Sequence, residues 1–163
     1  MKKVQTLQGF RSKKLKLDAS ITFFINHKQS SASDMAGRIY DRLTARGMSV
    51  WYDQELDGNL GEPEMKEGIE KSKCYLLLLS TDVFKSDAVL MELKVAYELK
   101  KPFLVVHQSQ GNLLGFAPFG TYIKTVPSCA KGLFTEKESL AFQRRRFLAV
   151  PFYTELVKRI NDS

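Results

Sequence analysis

Glu92 is the residue of this chain whose type and setting most invite a chemical role. It lies in SDAVLMELKVAYELKK, residues 86 to 101, which reads as one amphipathic helix. Advancing about 100° per residue places Val89, Leu93, Ala96 and Tyr97 on one face and Asp87, Lys94, Glu98 and Lys101 opposite. Glu92 falls cleanly on neither side. Its neighbours one turn away are Ala88, Val89, Val95 and Ala96, so it stands on the apolar shoulder with no charged partner along its own helix. It also lies well past the first turn, where a carboxylate would serve as a cap. A carboxylate in such a place can steady a positive charge where water is excluded. Alternatively, it binds an amide or basic side chain of a neighbouring loop and only stabilises the fold. Two cysteines, Cys74 and Cys129, and two histidines, His27 and His107, offer no metal-ligand spacing, so no metal site is expected.

The elements that must position this carboxylate alternate between strand and helix. ITFFIN, residues 21 to 26, is a near-continuous β-rich run, and Ser31 or Ser33 is the expected N-cap of a helix carrying Met35, Ala36, Ile39, Tyr40 and Leu43 until Gly47 stops it. MSVWYD, residues 48 to 53, is a second strand on which Trp51 reads as a packing residue, and the loop DQELDGNLGEP follows it. Pro63 suits the first turn of a second helix, with Met65 and Ile69 facing inward and an end near Lys73. CYLLLLS, residues 74 to 80, is apolar on both faces, as a central parallel strand should be, and Cys74 reads as a small buried residue within it. The helix of Glu92 comes next, capped by Ser86, and PFLVVHQ, residues 102 to 108, is a fourth strand. TYIKTV reads as a short fifth strand, and Glu138 to Ile160 as a helix that Pro151 breaks or kinks.

Such alternation predicts a three-layer, flavodoxin-like α/β sandwich: a parallel sheet of four to five strands in the order 2-1-3-4-5, with helices on both faces. Ligands of such sheets bind beyond the carboxyl ends of the strands, which directs attention to the loops after residues 26, 53, 80 and 108. Several familiar sites are missing there. No GxxxxGK[ST] is present, no GxGxxG follows the first strand, and no GxSxG elbow exists. Asn26, His27 and Lys28 carry the wrong charge to hold Mg²⁺ in a phosphoacceptor site.

Length and composition fit one domain. A chain of 163 residues can bury roughly two thirds of its unfolded surface, and 44% hydrophobic with 26% charged residues is a soluble globular composition. Residues 1 to 17 hold six basic side chains and no acid, which leaves 19 basic against 18 acidic residues in the rest and localises the net charge of +7. Residues 1–19 are therefore expected to form a flexible basic arm and residues 20–163 a single domain, with no specific nucleic-acid binding. The longest apolar run, Tyr75 to Leu79, is too short to cross a bilayer, and the arm lacks the apolar stretch of a secretory signal. A reducing, cytoplasmic location is expected.

Four segments in order resemble a TIR (Toll/interleukin-1 receptor) domain. ITFFINHKQ is similar to the family's opening strand, SVWYDQELDGNLGE to its second strand and BB loop, GIEKSKCYLLLLS to its helix-to-strand segment, and SDAVLMEL to its S-x-W-C-x-x-E-L signature with Ser86 and Glu92 in register. Ala88 and Val89 replace the signature's tryptophan and cysteine, and His27 replaces the tyrosine of the first-strand motif. In the enzymatic branch of the family the matching glutamate supports cleavage of the nicotinamide glycosidic bond of NAD⁺. The resemblance thus implies that Glu92 is catalytic, that Asn26, His27 and Lys28 meet ribose or phosphate, that Asp53, Leu56, Gly58 and Leu60 form a movable wall, and that Ser86 sits near the pocket mouth. NAD⁺ would be substrate rather than cofactor. The family resemblance further implies self-association through TIR–TIR contacts, contacts with other TIR proteins, and a part in immune or cell-death signalling.

The chemistry is coherent with a single acid. Nicotinamide leaves neutral from a cationic pyridinium, so the main cost is the oxocarbenium-like sugar, which one carboxylate beside the ribose can stabilise. The alternative implied by the same resemblance is a non-catalytic module that signals by homotypic contacts. A related nucleoside-processing fold, such as a nucleoside deoxyribosyltransferase, also uses a glutamate beside a sugar.

Overall fold

A computed structural model describes residues 21–51, 62–109, 115–132 and 139–162. The basic arm and the loop holding Asp53, Leu56, Gly58 and Leu60 lie outside them.

The β-rich run forms β1 (Ile21–Asn26), and the helix after it is α1 (Gln29–Ala45). Then come β2 (Val50–Trp51), α2 (Glu62–Lys71), β3 (Ser72–Leu78), a 3-10 turn at Val83–Lys85, α3 (Asp87–Glu98) and β4 (Phe103–Gln108). The chain closes with α4 (Phe119–Thr125), a 3-10 turn at Ser128–Ala130, β5 (Leu140–Phe142) and α5 (Arg146–Asn161). All strand pairs are parallel and the order is β2-β1-β3-β4-β5, the 2-1-3-4-5 arrangement expected.

Alternation along the strands builds two apolar cores. Phe23 and Ile25 of β1, with Cys74, Leu76 and Leu78 of β3, pack against Met35, Ile39 and Leu43 of α1 and Phe152, Leu156 and Ile160 of α5. Phe24, Tyr75 and Leu77 turn the other way, against Met65 and Ile69 of α2 and Val89, Leu93 and Ala96 of α3. This is why the β3 segment is apolar at every position from Cys74 to Leu78.

Several local readings are corrected. TYIKTV is helical as far as Thr125: Tyr122 is buried from the helix, Val126 caps it in an extended conformation, and the turn Pro118 sets up outweighs the β-branched composition. The fifth strand is instead Leu140–Phe142, paired with β4 through Val106, His107 and Gln108. The last helix accordingly starts at Arg146, not Glu138, and runs through Pro151, which is exposed. Neither Ser31 nor Ser33 caps α1, which starts at Gln29 after Lys28. Tyr97 is 54% exposed, because α3 buries only the narrower stripe of Val89, Leu93 and Ala96.

Candidate functional site

The start of α3 is fixed from two sides. Ser86 is its N-cap, its Oγ accepting from the Val89 N–H at 3.4 Å. Asn26, fully buried at the carboxyl end of β1, donates from Nδ2 to the Val89 carbonyl at 3.1 Å and to the Tyr75 hydroxyl. Asn26 Oδ1 is buried and has no hydrogen-bond partner among the described residues.

Tyr75 belongs to the inward-facing layer between β3 and α3. Its ring stacks on Phe24 at 5.7 Å and tilts against Phe103 at 4.6 Å. Burial pushes the phenol well above its usual range, the negative charge of Glu92 raises it further, and the Asn26 hydrogen bond pulls the other way. The oxygen accepts from Asn26, so its own proton is left to point elsewhere, and Glu92 is the carboxylate whose field it feels. Asn26 and Tyr75 thus form a hydrogen-bonded pair inside an apolar layer, and the charge of Glu92 acts on the phenol. Glu92 itself is half-buried, one turn beyond Val89 and flanked by buried Val89 and Ala96.

Of the other residues singled out by sequence, some are described and some are not. His27 and Lys28 are half-buried and continue the chain beyond Asn26, with the Lys28 carbonyl accepting from the amides of Ser31 and Ala32 as α1 starts. Asp53, Leu56, Gly58 and Leu60 lie outside the described residues. Trp51, which precedes them, packs as expected: it is 9% exposed and stacks on Phe24 at 6.4 Å. Ala88, at the signature's tryptophan position, is exposed. No group of three or more metal-ligating side chains occurs among the described residues, and no described helix is long and apolar enough to cross a membrane.

Two features escaped sequence reasoning. Tyr75 carries the one side-chain hydroxyl within the YLLL core of β3, a signal that an aliphatic run contained a polar atom in need of a partner. The second is a lacing of loops at the carboxyl edge. Ser31 Oγ donates to Ser80 Oγ at 2.8 Å, and the Thr81 amide donates to the Gly115 carbonyl at 2.8 Å. Gly115 has φ +87°, and a Cβ there would lie 3.1 Å from the Ser31 carbonyl oxygen, so glycine is required twice over.

A family model described as "TIR domain" matches residues 23–117. No curated protein sequence matches the chain. Among solved structures, the chain is similar to the TIR domain of the Toll-related receptor TRR-2 from Hydra magnipapillata, at 16% identity and TM-score 0.58 over 85% of this chain and 97% of that one. It is also similar to the TIR domains of the activated Roq1 resistosome that recognises the pathogen effector XopQ, at 15% identity and TM-score 0.54 over 87% and 84%. A metazoan TIR-STING receptor from C. gigas matches at 17% identity and TM-score 0.53 over 72% of this chain and 37% of that one.

Proposed function

Because the chain belongs to the TIR domain family, we propose that it cleaves the nicotinamide N-glycosidic bond of NAD⁺, with Glu92 as the catalytic carboxylate. The observation that carries this reading is the setting of Glu92: a half-buried acid on the inner shoulder of α3, one turn beyond Val89, whose carbonyl is held at 3.1 Å by the buried amide of Asn26. At a half-buried position a carboxylate stabilises a developing sugar cation more strongly than it could in full solvent.

Each residue then has a role. Glu92 faces the ribose and offsets the positive charge left as neutral nicotinamide departs. Asn26 and Tyr75 position it, one by fixing the first turn of α3 and the other by presenting its hydroxyl to the carboxylate. Ser86 holds the helix start, while His27, Lys28 and the loop with Asp53, Leu56, Gly58 and Leu60 contact the rest of the nucleotide. Packing of that loop against a second TIR domain completes the site, which ties activity to self-association and fits a signalling role.

Purified protein at high concentration, incubated with NAD⁺, is expected to release nicotinamide on chromatography, and Glu92→Gln is expected to lower the rate by about 10²- to 10³-fold, the usual cost of one well-placed electrostatic stabiliser. Equal rates in the two proteins, or no release at any attainable concentration, would remove the enzymatic reading.

One observation favours a second reading, that of a non-catalytic module signalling by homotypic contacts. Ala88 stands exposed where the family signature has tryptophan. On that reading Leu60→Asp abolishes self-association and Glu92→Gln leaves signalling intact.

A further inference from the structure

We infer that the arginine-lined hollow between α1, the end of β5 and α5 binds a small phosphate monoester no larger than a mononucleotide. The hollow has a volume of about 310 Å³ and is lined by Arg38, Asp41, Arg42, Gln143, Arg144 and Tyr153, among others. It lies on the α1/α5 side of the sheet, the side away from Glu92. It also borders Gln143 and Arg144, which follow the carboxyl end of β5, where parallel sheets place their ligands.

The guanidiniums are held in place. Arg38 Nε meets both oxygens of Asp34 at 3.3 and 3.2 Å, and Arg144 Nη1 reaches Asp34 Oδ2 at 3.3 Å, so one carboxylate ties α1 to the strand end. The guanidiniums of Arg42 and Arg46 lie over the Tyr153 ring at 5.9 and 5.1 Å. Burial raises the Tyr153 phenol to about 12, against the opposing pull of Arg42, Arg46 and Arg38, so the ring stays neutral beneath them. Side chains already anchored lose less freedom when a ligand arrives.

Charge and size then select the ligand. Arg38, Arg42 and Arg46 follow one another a turn apart, a repulsive arrangement along a helix. Among the described residues, Arg38, Arg42 and Arg144 line the hollow against Asp41 as the one carboxylate in its wall, Asp34 pairs with Arg38 and Arg144 beside it, and neither Arg42 nor Arg46 has a carboxylate within ion-pair distance. The excess of two positive charges is matched by a phosphate monoester, which carries about two negative charges near neutral pH. Planar guanidinium forks suit phosphate oxygens two at a time. The volume sits at the small end of ligand pockets, about 300 to 1,000 Å³, which suits a mononucleotide or sugar phosphate and not a dinucleotide.

Isothermal titration of the whole chain at physiological salt, with adenosine 5′-monophosphate, inorganic phosphate and adenosine as separate titrants, tests this. The expected result is saturable one-to-one binding of the monophosphate, none of adenosine, at least tenfold weakening in both Arg42→Ala and Arg144→Ala, and unchanged affinity in Glu92→Gln. Tighter binding of the nucleotide than of inorganic phosphate identifies a phosphorylated metabolite as the ligand, and equal binding identifies free phosphate; either supports the site. Circular dichroism checks that the arginine variants fold, and agreement between two substitutions on different elements guards against loss of the Tyr153 stack alone. No saturable binding of either phosphate titrant would overturn the inference, as would binding indifferent to both arginine substitutions, or binding of a long polyanion such as heparin alone.

Discussion

The side-chain amide of Asn26 donates to the backbone carbonyl of Val89 at 3.1 Å, so the carboxyl end of β1 is tied to the first turn of α3. One turn further along the same helix is Glu92. The position of the candidate carboxylate therefore depends on a residue 66 places earlier in the sequence, through a bond made in an apolar layer where neither group can turn to water.

Asn26→Ala leaves both the Val89 carbonyl and the Tyr75 hydroxyl short of a donor. A stability loss of about 1 to 3 kcal/mol is expected in urea unfolding, the usual cost of stranding buried polar groups. Asn26→Asp should cost more, since it removes the donor and buries a second carboxylate near Glu92. Stability unchanged in both variants would show that the amide contributes nothing there.

Tyr75→Phe keeps the ring between Phe24 and Phe103 and deletes only the hydroxyl. With NAD⁺ as substrate, kcat is expected to fall by about tenfold to a hundredfold while KM holds, the signature of a misplaced catalytic group. An unaltered kcat would reduce Tyr75 to a packing residue.

Gly68 faces the indole of Trp51. A Cβ at that position would lie 3.0 Å from Cδ2 and 3.1 Å from Cε2 of the ring. Alanine gains about 1 kcal/mol of helix propensity in α2, but the rigid ring must yield, and overpacking costs roughly 1 to 3 kcal/mol. Gly68→Ala is expected to be destabilising by about 1 kcal/mol and to perturb the fluorescence of the sole tryptophan; a stabilised variant with an unchanged spectrum would contradict this.

His107 is half-buried, with Nδ1 2.7 Å from Ser139 Oγ and its ring 5.2 Å from Phe119. Burial lowers its pKa below the usual value of about 6.5. As pH falls, the unfolded chain takes up the proton first, so stability declines between about 6.5 and the lower folded value and is level on either side. His107→Gln removes this contribution. The fall in unfolding free energy between pH 7 and pH 5 should be smaller in the variant than in the parent, and equal falls would show that the ring does not contribute.

The parts of the fold legible in the sequence were those with long, unambiguous periodicity. CYLLLLS could only be a central strand, and Val89, Leu93 and Ala96 mark the inner face of α3 by spacing alone. Leu140–Phe142 was illegible because three residues carry no period, and what makes them a strand is pairing with Val106, His107 and Gln108. TYIKTV misled because Thr121, Ile123 and Thr125 favour strands, while the helix they join exposes all three and buries Tyr122. For the site, sequence located Glu92 and Ser86 on their helix. It could not reveal Tyr75, whose hydroxyl matters only because Asn26, 49 residues away, ends beside it.

The sheet separates two populations of side chains that never meet through it, with Phe23 and Ile25 on one side and Phe24 and Tyr75 on the other. The arginine hollow and Glu92 therefore occupy different compartments. Any message between them must go around the partition and not through it, and the route on offer is the seam where Ser31 of α1 grips Ser80 and Thr81 reaches Gly115.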